Sequence, residues 1–64
     1  MKNRLREFRE EKGWSQTKLA EESGISRVTI NSLENGKVPV AKTDTLTKIA
    51  DALGYAVSVV FFSE

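Results

Sequence analysis

Four glycines, Gly13, Gly24, Gly36 and Gly54, cut the chain into short stretches, and most of these carry helical spacing. Each glycine follows a helix-like run, where a residue that tolerates a left-handed backbone is wanted. The first run covers residues 3–12, with Leu5 and Phe8 on one face. Ser15 and Ser26 suit the N-caps of a second run holding Leu19 and Ala20 and a third holding Ile30 and Leu33. Residues 37–42 include the only proline, Pro39, and read as a loop. Thr43, Asp44 or Thr45 caps a fourth run, in which Leu46, Ile49, Ala50 and Leu53 form a helical stripe.

The tail breaks this pattern. Val57, Val59, Val60, Phe61 and Phe62 are β-branched or aromatic, and residues 55–62 contain no charge, Gly or Pro. Such residues favour an extended strand. Its two faces would both be apolar, Tyr55, Val57, Val59 and Phe61 on one, Val60 and Phe62 on the other. A 64-residue protomer has little with which to cover both faces and the free edge. The tail is therefore expected to pair with its twin across a homodimer, with a short fifth helix folded onto the core as the other open solution. The division is a helical domain over 1–54 and a dimerisation element over 55–64.

The second and third runs are the informative pair. They are separated by about three residues around Gly24, the spacing of a helix-turn-helix. Ala20 is small enough for close approach of the next helix, and Leu19, Ile25, Ile30 and Leu33 fill the wedge. With about 100° per residue and Ile30 and Leu33 inward, Val28, Asn31 and Ser32 point outward, with Thr29 beside them. Arg27 sits at the helix start. This row suits the major groove: arginine can bind guanine, asparagine can bind adenine, and Val or Thr methyls can meet a thymine methyl. The helix starts, Ser15-Gln16-Thr17 and Ser26-Arg27, can offer backbone N–H groups to phosphates.

Composition narrows the alternatives. The chain has no Cys and no His, which removes disulfides, thiolate metal sites and the commonest general base. It has no glycine-rich phosphate loop and no metal-ligand cluster, and it is too short to enclose a sizeable pocket, so neither an enzyme nor a cofactor is expected. No apolar run approaches the roughly 20 residues of a membrane span, and the charged N-terminus is unlike a signal peptide, so a cytoplasmic location without membrane contact is expected. The formal net charge is only +1, so any DNA footprint must come from local geometry. That near-neutral charge and the apolar tail leave open a protein-interaction module that uses no DNA.

The residues Gln16-Thr17-Lys18-Leu19-Ala20, Gly24-Ile25-Ser26, Ile30 and Leu33-Glu34-Asn35-Gly36-Lys37 resemble the phage repressor and Cro family of Xre-type helix-turn-helix proteins. The likeness runs from Leu5 through Gly54. Gly13-Trp14-Ser15-Gln16, Thr45-Leu46-Thr47 and the apolar tail resemble the HipB-type antitoxins, whose C-terminal strands pair between protomers. The resemblance implies a mostly α, four- to five-helix, lambda-repressor-like DNA-binding domain with a short C-terminal β-strand. It implies a repressor or autoregulating antitoxin that binds double-stranded DNA, with a toxin as a further partner. Residue by residue, it implies base contacts from Arg27, Val28 and Ser32, with Thr29 and Asn31 nearby, although Val28 departs from the polar residue often found there. Gln16 would bind a phosphate and brace the recognition helix. Asn35, Lys37, Lys42 and Thr43 would follow the DNA backbone. Arg9 and Glu34 would form a buried ion pair between the first and third helices.

Overall fold

The computed structural model describes residues 3–36 and 42–62. Five helices follow one another: α1 (Leu5–Glu11), α2 (Gln16–Ser23), α3 (Arg27–Glu34), α4 (Thr43–Leu53) and α5 (Val57–Phe61). The helix ends follow local chemistry. Asn3 Oδ1 accepts from the Leu5 N–H at 3.0 Å ahead of α1. Ser15 and Ser26 cap α2 and α3, their Oγ atoms accepting from the N–H groups of Lys18 and Thr29. Helix α4 starts one residue earlier than its Thr and Asp residues suggested. Lys42 is its capping residue and works through its backbone alone, its carbonyl accepting from Leu46 N–H at 3.1 Å. Gly54 ends α4 at φ 82°, and the Tyr55 N–H reaches back to the Ala50 carbonyl at 3.1 Å. That pattern is a Schellman turn, which a side chain with a Cβ would strain.

The core draws on all five helices: Leu5 and Phe8, Leu19, Ile30 and Leu33, Leu46, Ile49, Ala50 and Leu53, and Val60 and Phe61. Helix α2 packs on α3 and α4, α1 on α3 and α5, and α4 on α5. The loop expected over 37–42 lies, apart from Lys42, outside the described residues.

The tail corrects the strand expectation. Residues 57–61 are helical, and no strand occurs among the described residues. The reason is which side chains each geometry gathers. A strand would separate Val60 from Val57 and Phe61, whereas a helix brings positions i, i+3 and i+4 to one side. In α5, Val60 and Phe61 are buried, Val57 packs partly against the core, and Ser58 and Phe62 face outward. Burying one such side chain is worth about 1.5–3 kcal/mol, more than the roughly 1 kcal/mol span of strand propensities. The Arg4 N–H donates to the Val60 carbonyl at 2.8 Å, tying α5 to the start of α1. Val60 and Phe61 thus belong to the core of their own chain. Of the segment expected as a pairing strand, residues 57–61 form helix α5 instead.

Candidate nucleic-acid interface

The turn between α2 and α3 is built from residues that satisfy its own backbone. Gly24 takes φ 74°, and its N–H donates to the Ala20 carbonyl at 2.9 Å. The buried Ser23 accepts from the Ile25 N–H at 3.2 Å through its Oγ. Ser26 Oγ accepts from the Thr29 N–H at 3.2 Å and donates to Thr29 Oγ1 at 2.9 Å, so its hydroxyl is used inside the turn. Leu19, Ile30 and Leu33 fill the wedge, with Ala20 and Ile25 packed against them.

The opposite side of α3 is open. Val28 is 68% exposed, an unusual place for a large apolar side chain, and Arg27 and Asn31 are exposed beside it. Thr29 and Ser32 are half-buried on its flanks. Among the described residues, nothing pairs with the Arg27 guanidinium. This ridge offers a free cation, methyl groups and short polar groups, the mixture that base edges can recognise.

Behind the ridge lies a polar cluster centred on Glu34, whose side chain is 0% exposed. Arg9 grips it from α1, Nε donating to Oε2 at 2.7 Å and Nη2 to Oε1 at 3.1 Å. Arg9 Nη1 also donates to the Trp14 carbonyl at 2.6 Å, which fixes the α1–α2 corner. Oε1 further accepts from Arg6 Nε at 3.2 Å and from Gln16 Nε2 at 3.3 Å. Burial alone would raise the Glu34 carboxyl pKa, but hydrogen bonds from Arg9, Arg6 and Gln16 outweigh it and hold it below the ordinary carboxylate value. The Arg9 guanidinium is held above its ordinary value, chiefly by the same hydrogen bond.

The cluster extends to the exposed surface. Gln16 Nε2 also donates to Asn31 Oδ1 at 3.2 Å. Asn35 Nδ2 donates to the Asn31 carbonyl at 2.9 Å and to Asn31 Oδ1 at 3.2 Å, while Asn35 Oδ1 accepts from Arg6 Nη2 at 3.3 Å. The side-chain amide protons of both Gln16 and Asn35 are therefore engaged within the protein. Lys42 and Thr43 are exposed at the start of α4, as are Ser15 and Thr17 at the start of α2, and Lys37 lies outside the described residues.

Arg6 and Asn3, neither singled out from the sequence, both reach the third helix. Arg6 bridges α1 to Glu34 and Asn35, and Asn3 Nδ2 donates to the Leu33 carbonyl at 3.0 Å. The signal available was spacing: Arg6 and Arg9 lie three apart, on one helix face with Asn3. Among the residues expected to form a dimer strand, Val60 and Phe61 are enclosed by the core. Tyr55 stacks on Phe8 at 4.1 Å between ring centroids and donates its hydroxyl to Glu11. Only Phe62 stands well clear, at 66% exposure.

Comparison with known proteins agrees with this geometry. Residues 5–60 match the family model described as helix-turn-helix. The HTH-type transcriptional repressor RghR of Bacillus subtilis (strain 168) is 45% identical over 49 residues, 77% of this chain and 36% of that protein. A hypothetical transcription factor of Neisseria meningitidis serogroup B is 38% identical over 52 residues, 81% of this chain and 48% of that protein. The chain thus spans between about a third and a half of these relatives. A solved complex of the SinR and SinI proteins contains a similar fold, with TM-score 0.82 and 29% identity over 86% of this chain and 53% of that one. Among the described residues, no helix is long and apolar enough to cross a membrane. With an open α3 ridge, a glycine turn and a match over nearly its whole length, the chain belongs to the Xre-type helix-turn-helix family of DNA-binding transcription regulators.

Proposed function

We propose that this chain reads a specific double-stranded DNA sequence with α3 in the major groove and acts as a transcriptional repressor, two copies sharing a palindromic operator. The observation that carries this reading is the exposed Arg27–Val28 end of α3, free on its outer side while Ile30 and Leu33 anchor its reverse. The repressor name of the Bacillus relative supports the direction of regulation. Arg27, Val28, Thr29, Asn31 and Ser32 supply the base-facing row. Because both Gln16 amide protons are engaged by Asn31 and Glu34, the phosphate contact at the start of α2 comes from backbone N–H groups of Gln16 and Thr17 and the Ser15 hydroxyl. Lys42 and Thr43, exposed at the start of α4, add contacts to the DNA backbone, and Lys37 is given the same role from its place in the sequence. Two-fold symmetry sets half-sites about 34 Å apart, one helical turn of DNA.

Selection of bound sequences from a random duplex pool tests the reading. The expected result is an enriched inverted repeat, with Arg27→Ala relaxing preference at one base pair by about 1–3 kcal/mol. A pool without enrichment, or an Arg27→Ala variant weakened equally on all sequences, counts against it.

A second reading is a protein-interaction module, including an antitoxin that holds a toxin. It is favoured by one finding, that the similar solved fold stands in a complex of two proteins. Its antitoxin form rested in part on a paired C-terminal strand, and the helical α5 removes that part of its support, leaving the resemblance at residues 13–16 and 45–47. Retention of a protein partner by a chain that binds no duplex separates this reading from the first.

A further inference from the structure

The geometry points to Asn31 as a fixed hydrogen-bond donor on α3: its side-chain oxygen is held by the protein, and only its amide nitrogen is offered to the duplex. The inference rests on the DNA-binding reading above and assigns the polarity of one residue within it.

The orientation follows from groups that can play only one role. An ionised carboxylate only accepts, a guanidinium only donates, and a main-chain carbonyl only accepts. Glu34 Oε1 therefore requires the –NH2 end of Gln16, and that same nitrogen lies 3.2 Å from the Asn31 side chain. Arg6 Nη2 requires the oxygen end of Asn35, which turns the Asn35 –NH2 toward the Asn31 carbonyl, 2.9 Å away, and the Asn31 side chain, 3.2 Å away. Two donors thus converge on one atom of Asn31, which must be its Oδ1. Reversing the Asn31 amide would set –NH2 against –NH2 twice.

The consequence is a selective loss of function at one atom. Asparagine reads adenine by accepting from its amino group while donating to N7. Asn31 has its acceptor occupied from two sides and its residue exposed, so the donor alone remains. It fits an acceptor on the duplex: N7 of either purine, guanine O6, thymine O4, or a phosphate oxygen. It does not fit the amino edge of adenine. The sequence alone allowed the two-bond contact to adenine, and the Glu34 cluster removes its accepting half, the bond from the adenine amino group.

Two measurements test this. In the free protein, exchange of side-chain carboxamide protons with solvent is followed by NMR. The Asn31 protons are expected to exchange faster than those of Gln16 and Asn35, and the reverse order overturns the orientation whether or not DNA binds. On the operator enriched by the wild type, Asn31→Asp keeps the inner acceptor and turns the outer donor into an anionic acceptor. It is expected to bind about tenfold or more weakly than Asn31→Ala, since like charges meet across the interface. Asn31→Asp binding as well as Asn31→Ala overturns the inference, as does an Asn31→Ala variant that loses a preference for adenine over guanine. Relaxed preference at a guanine or thymine, or for purine over pyrimidine, assigns the donor to a base, and a uniform loss assigns it to a phosphate. A wild type that enriches no duplex removes the DNA-binding reading and the role of Asn31 with it, while the exchange order still reports the orientation.

Discussion

Replacing Glu34 by glutamine tests how strongly the recognition helix is fastened to the rest of the domain. The carboxylate accepts three hydrogen bonds at Oε1 and one at Oε2. In Glu34→Gln, the better orientation keeps oxygen at the three-donor corner and sets –NH2 against Arg9 Nε, where the native contact is 2.7 Å. One charge-assisted bond becomes a donor–donor clash, and the other three lose their ionic part. Breaking a fully buried ion pair from one side costs about 3–5 kcal/mol, and a bond to a charged group contributes about 1.5–3 kcal/mol. Arg9 keeps 12% of its side chain exposed and Arg6 keeps 54%, so water relieves part of the loss and about 3 kcal/mol is expected. For a domain this small, that corresponds to a fall in Tm of roughly 12–24 °C. Thermal unfolding followed by far-UV circular dichroism measures it. Lys18→Ala serves as the control, because the Lys18–Glu22 pair is solvent-exposed, and it should shift stability by no more than about 0.5 kcal/mol. A Glu34→Gln protein as stable as Lys18→Ala would refute the reasoning. The pH dependence adds a sign. The Glu34 carboxyl is lowered in the folded state, so its contribution is present above the ordinary value of 4.5 and is lost as pH falls through the folded value. Glu34→Gln should flatten that part of the acid unfolding curve.

Gly24→Ala adds a Cβ that meets nothing within 4 Å but sits at φ 74°, so backbone strain alone should cost about 1–2 kcal/mol in urea unfolding. Phe61→Ala opens the core and should cost about 3–5 kcal/mol, whereas the exposed Phe62→Ala should stay within about 0.5 kcal/mol. Equal costs at the two positions would contradict the helical tail.

Local chemistry made most of the fold legible. Gly24 and Gly54 take the positive φ that ends α2 and α4, and Ser15 and Ser26 cap α2 and α3 with their own hydroxyls. Such signals act over a few residues, so they survive without knowledge of the partners. The Leu46, Ile49, Ala50 and Leu53 stripe is equally direct, since a period near 3.6 marks its own buried face. The outward ridge of α3 followed from the same period once Ile30 and Leu33 were placed inward.

The tail and the Glu34 cluster were decided elsewhere. Residues 57–61 favour a strand by local preference, yet the space left between α1 and α4 rewards the side of a helix that unites Val57, Val60 and Phe61. Propensity is a difference of tenths of a kcal/mol per residue, and burial of two large side chains exceeds it. The convergence of Arg6, Arg9 and Gln16 on Glu34 joins residues up to 28 positions apart, a proximity that no period within one helix encodes. The sequence by itself determined where α2 and α3 begin and where α2 and α4 end, because those choices are made by neighbouring atoms. Only the tertiary structure decided which polar ends face inward, because that depends on the distance between chains of atoms far apart in sequence.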